Sequence, residues 1–210
     1  AFDNGEITAT GVTAALSTNS NQYNVIGLET GHTDTKIDYG GGSGNFGGTN
    51  AYSTIGGGSV TAGDDISVRA RTFMRFAEAG TYSVAIVSDD GRLARFDDVA
   101  APGTFAFTAH GGQIDGGSGA GTDFLRRDNS TGHRASVGVF TVTAGQIISM
   151  DAFFWQRNGG HSFEVQIKKG SDTGHDTGGI SAANDQWEIL EDGVYNVNVS
   201  SDVQLLQDMT

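Results

Sequence analysis

Asp89-Asp90-Gly91 follows directly on an alternating apolar run, Thr81-Tyr82-Ser83-Val84-Ala85-Ile86-Val87. Adjacent side chains on an extended backbone point to opposite faces, so two neighbouring carboxylates reach one ion only if the backbone between them is unusual, a cis peptide being the extreme form. Carboxylates are the ligands that a hard divalent cation takes. The tripeptide therefore reads as a calcium site at a loop rim, where a strand runs out. The competing reading is a solvated turn with solvent-facing charge at a strand end. That reading gains force from two further such pairs, Asp64-Asp65 and Asp97-Asp98.

Other patterns carry less chemistry. Gly119-Ala120-Gly121-Thr122-Asp123-Phe124-Leu125 approximates the nonapeptide of calcium-binding β-rolls. A single copy cannot stack, so it reads as a glycine-rich loop, with Asp123 the candidate for a second, structural calcium. Five histidines (His32, His110, His133, His161 and His175) lack zinc-like spacing and the chain has no cysteine, which argues against a transition-metal site. Asn129-Ser130-Thr131 and Asn198-Val199-Ser200 match the glycosylation acceptor pattern, which is frequent by chance. No Gly-x-Ser-x-Gly elbow, His-Glu-x-x-His helix or phosphate loop is present. Adjacent carboxylates at 89 and 90 are poorly placed to flank a scissile glycosidic bond. The chain reads as non-enzymatic.

The elements that must position these residues are strands. Ile66, Val68, Ala70, Met74 and Phe76 alternate with Ser67, Arg69, Arg71 and Arg75, and Tyr82, Val84 and Ile86 share one face of the next strand. Phe105 and Phe107 suggest a short third. Val137, Val139 and Thr141 lead to a turn at Ala144-Gly145-Gln146, after which Ile148, Met150, Ala152 and Phe154 alternate with Ser149, Asp151 and Phe153. Phe163, Val165 and Ile167 close the series, and no segment reads as a long amphipathic helix. Short strands with frequent turn signals predict an all-β, antiparallel β-sandwich with long glycine-rich loops. Gly40 to Gly58, Ala109 to Arg134 and Gly170 to Asp185 are the expected loops, being too polar and glycine-rich for core strands.

Length allows one large core, and residues 1–210 are read as a single domain. The formal charge of −13, from 25 acidic against 12 basic side chains, disfavours nucleic acid and anionic membrane. Thirty-three glycines against one proline suit tight turns. No apolar run is long enough to cross a bilayer and no basic-then-apolar leader opens the chain. The expectation is a soluble module excised from a larger secreted or cell-surface protein, without membrane insertion. In the absence of disulfides, bound calcium would supply rigidity.

Two segments resemble the protective-antigen domain family, whose lectin branch includes yeast flocculins and bacterial surface adhesins of the repeats-in-toxin class. The first is Gly80-Thr-Tyr-Ser-Val-Ala-Ile-Val-Ser-Asp-Asp-Gly-Arg-Leu-Ala-Arg-Phe-Asp97. The second, Phe140-Thr-Val-Thr-Ala-Gly-Gln-Ile-Ile-Ser-Met-Asp-Ala-Phe-Phe-Trp-Gln-Arg-Asn-Gly-Gly160, is similar to the family's late strand pair and its polar loop. Together they make up a little under a fifth of the chain. The resemblance implies a sandwich with one calcium at its rim, held by a cis-linked Asp89-Asp90 pair, a side-chain oxygen from Gln156, and carbonyls near Asn158 and Gly160. The flocculin-like loop has asparagine where this chain has Gln156, so Asn158 is the competing side-chain ligand. Asp98-Val99-Ala100-Ala101-Pro102-Gly103 also departs from the family's short turn.

Calcium takes about six to eight oxygens, and such a set leaves positions for vicinal hydroxyls of a sugar. Trp155, Arg157 and His161 flank the loop and are candidate sugar contacts beside Asp89, Asp90 and Gln156. Trp155 equally suits core packing, and residues such as Arg157 and His161 are more often ordinary loop residues than ligand contacts. The expected function is calcium-dependent binding of cell-surface glycans or polysaccharide by an adhesin in cell adhesion or biofilm. The alternatives are a carbohydrate-binding accessory domain of a secreted glycoside hydrolase, and a calcium-rigidified structural spacer.

Overall fold

A computed structural model describes residues 37–40, 66–157, 159–175, 187–190 and 203–206. Every regular element among them is a strand: β1 (Asp38–Gly40), β2 (Ile66–Phe76), β3 (Gly80–Asp89), β4 (Gly91–Asp98), β5 (Ala109–Gly112), β6 (Phe124–Arg127), β7 (Arg134–Val142), β8 (Ile147–Gln156), β9 (Ser162–Lys169), β10 (Glu188–Ile189) and β11 (Val203–Leu206). One sheet runs β1-β9-β3-β7-β5, with β10 also pairing β9, and the other runs β11-β2-β8-β4-β6. All the strand pairs are antiparallel. The chain is an antiparallel β-sandwich, as its alternation predicts.

Period-two burial explains why these segments pair face to face. Along β8 the even positions Ile148, Met150, Ala152, Phe154 and Gln156 are buried, while the odd positions are half-buried. Met74 and Phe76 of β2 and Ala94 and Phe96 of β4 supply the same inner face, against Val84 and Ile86 of β3 and Phe163, Val165 and Ile167 of β9. β3 is apolar on both faces. Its outward Ala85 and Val87 join Ala135, Val137 and the buried Trp187 in a second, smaller cluster.

The pairing corrects two sequence expectations. Ala109 to Arg134 is not one loop, because β5 pairs β7 through Ala109↔Val139 and β6 pairs β4 through Leu125↔Ala94. Phe105 and Phe107 do not form a strand. Phe107 makes only an isolated bridge to Ala120, and its ring lies on Gly138, where a Cβ would come within 2.3 Å of it. These two rings plug the core beside Phe96 and Phe140. Of the other expected loops, Gly40 ends β1, residues 170–175 carry no strand, and 41–58 and 176–185 lie outside the described residues.

Candidate functional site

Two connections between the sheets lie side by side at one end of the sandwich. β3 leads through Asp90 into β4, and β8 leads through residues 157–161 into β9. β3 is laddered to β9 as far as Asp89↔Ser162, and β4 is laddered to β8 from Gly91↔Trp155. Asp90 lies between the two ladders. Continuing each register by one residue sets it opposite His161 on one side and Gln156 on the other. The Asp89-Asp90 peptide is cis.

Asp90 is 4% exposed, and its carboxylate is held by three donors from distant loops. Ser130 Oγ donates to Oδ1 at 2.6 Å, the Thr131 amide to Oδ1 at 2.9 Å, and the Arg157 amide to Oδ2 at 3.1 Å. Two carboxylate oxygens carry about four lone-pair positions, so acceptor capacity remains. Asp89 is half-buried. Gln156 is fully buried, and among the described residues neither its Oε1 nor its Nε2 has a hydrogen-bond partner. An unmet buried polar group costs roughly 1–3 kcal/mol, so this amide has capacity for a further partner.

Behind Asp90 sits Arg92, whose side chain is also buried. β4 alternates, and position 92 shares the inward face with Ala94 and Phe96. The guanidinium donates to Ser136 Oγ at 2.8 Å, Ser88 Oγ at 3.1 Å and the Gln113 carbonyl at 3.1 Å. Burial, with Arg127 nearby, lowers its pKa to about 9, against an opposing pull from Asp115. Both arms of the network reach Asp90. Ser88 Oγ donates to the Asp90 carbonyl at 2.6 Å, and Gln113 Oε1 accepts from Thr131 Oγ1 at 3.0 Å, the residue whose amide bonds Oδ1. His133 flanks this region, with Nδ1 at 2.7 Å from Ser162 Oγ. Burial first, then Arg92 and Arg134, lowers its pKa to about 4.

The structure thus gathers Asp89, Asp90 and Gln156 at the double crossover, with Arg157 exposed and Gly160 half-buried on its second arm. Asn158 lies outside the described residues. Trp155 faces outward on the five-stranded sheet and packs on Gly91, beside the crossover. His161 is 4% exposed and offers little surface to a ligand. Asp123 bonds Arg95 at 3.3 Å. Among the described residues no three acidic or histidine side chains converge on a cation position, so a cation at the crossover would draw on amide and carbonyl oxygens as well as the two carboxylates.

The sibling pair Asp97-Asp98 differs from this site. Asp97 Oδ1 accepts from the amides of Asp98 and Gly103, and Asp98 Oδ1 from those of Ala100 and Ala101, which is a turn bonding its own backbone. Asp64-Asp65 lies outside the described residues. The residues that sequence reasoning missed are Ser88, Arg92, Gln113, Ser130 and Thr131. Arg92 was detectable by its parity with Ala94 and Phe96, whereas Ser130-Thr131 stood out only as a glycosylation-type tripeptide.

Among the described residues no helix is long and apolar enough to cross a membrane. No protein-family model matches the chain, and neither does any curated protein. Two solved structures are similar to it. The PA14 domain of the MpAFP antifreeze protein is 18% identical, over 75% of this chain and 69% of that one, at a TM-score of 0.40. A PA14 sugar-binding domain from an RTX adhesin is 18% identical, over 73% of this chain and 71% of that one, at a TM-score of 0.38. Both are of the protective-antigen type that the two sequence segments resemble.

Proposed function

We propose that this chain is a calcium-dependent carbohydrate-binding module of a bacterial cell-surface adhesin, acting outside the cell. The observation that carries the reading is the crossover itself: two consecutive carboxylates, Asp89 and Asp90, beside a fully buried glutamine amide with no hydrogen-bond partner among the described residues. Its donors are carboxylate, amide and carbonyl oxygens, the set that suits a hard cation, and no thiolate or converging imidazoles compete for it. Calcium bound there supplies a Lewis-acidic centre for neighbouring sugar hydroxyls.

The protein's own residues do the rest. Ser130, Thr131 and the Arg157 amide fix the rotamer of Asp90, Ser88 ties its carbonyl to Arg92, and Gln156 offers its amide oxygen. Trp155, packed against Gly91 and half-buried beside the crossover, offers apolar contact to the face of a sugar ring. Recognition at such a rim buries little ligand, so single-site affinity is weak and attachment relies on many copies. The reading is one of binding, and adjacent carboxylates at 89 and 90 are poorly placed to flank a scissile bond.

Glycan-array binding with calcium and with chelator tests the reading, together with a calcium titration of thermal stability. Sugar binding that needs calcium and is lost in Asp90→Asn supports it. Binding that persists in chelator would overturn the mechanism.

A further inference from the structure

The outer face of the five-stranded sheet has an ordered charge pattern that the crossover site does not use. One row across it reads Arg71, Asp151, Arg95 and Phe124, from β2 through β8 and β4 to β6. In the neighbouring row Arg69 and Arg126 stand at the two ends, with Phe153 and Leu93 between them. Arg75 lies farther along β2, opposite Ile147. Five of the twelve basic residues of a chain with net charge −13 therefore share one sheet face.

The carboxylates there do not balance them. Asp151 has arginines as both cross-strand neighbours, Arg71 and Arg95, and is bonded by a third, Arg69, whose Nε donates to it at 2.8 Å. Arg95 and Arg126 each have a partly exposed carboxylate partner from a flanking loop, Asp123 at 3.3 Å and Asp115 at 3.9 Å, pairs of the kind that contribute little. Arg71 and Arg75 are exposed, and among the described residues neither side chain has a hydrogen bond or ion pair. Neighbouring strands lie about 4.7–4.9 Å apart, so Arg71 and Arg95, two strands apart across Asp151, stand roughly 10 Å from each other. Arg71 and Arg75 can each take a carboxylate or sulfate in a two-point fork.

We propose that this face is a second docking surface, independent of calcium, for an acidic polysaccharide that carries a carboxylate or sulfate on its sugar residues. Charge complementarity selects the anion, and the surroundings select the polymer. Duplex DNA, at one charge per about 1.7 Å, is repelled by the remaining acidic surface, whereas a polysaccharide charged about once per sugar is repelled far less. Half-buried Phe124, Leu93 and Trp155 lie among the arginines and give sugar rings flat apolar contacts. Trp155 also joins this face to the crossover, so one chain can run from the rim onto the sheet.

The test is binding of the full chain to immobilised polygalacturonate, sulfated dextran and neutral dextran, with chelator throughout so that the crossover site is silent. The acidic polymers should bind and neutral dextran should not, with binding lost near 1 M salt, where the Debye length falls to about 3 Å. Arg71→Gln with Arg75→Gln should weaken binding roughly tenfold, while calcium-dependent sugar binding at the rim stays unchanged. Asp151→Asn should strengthen it, a gain that misfolding cannot produce. Equal binding of neutral dextran, no effect of the arginine pair, or weaker binding by Asp151→Asn would overturn the proposal. So would equal or tighter capture by polyglutamate or duplex DNA, or by a second copy of the chain, any of which would make the face a site for another partner.

Discussion

The indole of Trp155 lies so close to Gly91 that a Cβ at position 91 would come within 2.2 Å of both its Cε2 and Nε1 atoms. The glycine that follows the acidic pair is thus a seat for the ring, at the start of β4, directly after Asp90 and opposite the end of β8 that carries Gln156. Gly91→Ala must displace the indole or the β4–β8 ladder. Such overpacking costs typically ~1–3 kcal/mol, to be read as a lower urea midpoint. The chain has two tryptophans, and Trp187 is buried. In a Trp187→Phe background, Gly91→Ala should therefore shift the emission of Trp155, and sugar affinity should fall with it.

Gln156 gives opposite signs with and without calcium. Its amide is buried with both polar atoms unpartnered among the described residues, so Gln156→Leu relieves a cost of roughly 1–3 kcal/mol in the calcium-free protein. In chelator, unfolding should show the leucine variant at least as stable as the parent. With calcium added, the parent gains stability in proportion to the logarithm of ion concentration over its dissociation constant. The variant should gain much less. A variant that is destabilised in chelator yet keeps the full calcium response would remove Gln156 from the ligand set.

Arg92 should resist its most conservative replacement. Its fork reaches Ser136, Ser88 and the Gln113 carbonyl at once, and two of those contacts lead on to Asp90. Lysine keeps the charge but offers one ammonium point in place of the planar fork. Arg92→Lys should leave buried acceptors unmet, cost on the order of 2 kcal/mol, and weaken calcium binding measured by titration calorimetry. Ser88→Ala severs only the Asp90 carbonyl arm and should produce the calcium defect with a smaller loss of stability. If both variants bind calcium like the parent, the network supports the fold and not the site.

The alternating strands were legible because burial on one face writes itself as period two, as in Ile66–Phe76 and Ile147–Gln156. β5 was not, since Ala109-His110-Gly111-Gly112 has no apolar face. Its place is set by the ladder to β7 and by the approach of the Thr173 carbonyl, 2.0 Å from where a Cβ of Gly111 would lie. The Phe105 and Phe107 alternation misled for the opposite reason, because two aromatic residues two apart can plug a core as a loop. Asp89-Asp90 could be found at the end of its strand. Its partners Ser130 and Thr131 stand 40 and 41 positions away, on a loop whose return to the rim is decided by the β6 and β7 pairings. No local pattern encodes that. Arg92 reads as surface charge by residue type and as core by parity, and parity was the better guide.

The pH response of the calcium-free protein should come from His133. Its ring is held in burial beside Arg92 and Arg134, which lowers its pKa from 6.5 to about 4 in the folded state. Between those two values the unfolded chain carries the proton and the folded chain does not. Stability is therefore full above pH 6.5 and falls as the pH drops toward 4, the direction expected when the unfolded state binds more protons. Below about 4 both states are protonated, and this contribution changes no further. Urea unfolding in chelator at a series of pH values should show that slope in the parent and a reduced one in His133→Asn. The asparagine variant keeps a polar group near Ser162 Oγ, to which the His133 Nδ1 lies at 2.7 Å. An unchanged slope in the variant would assign the acid sensitivity to the carboxylates instead.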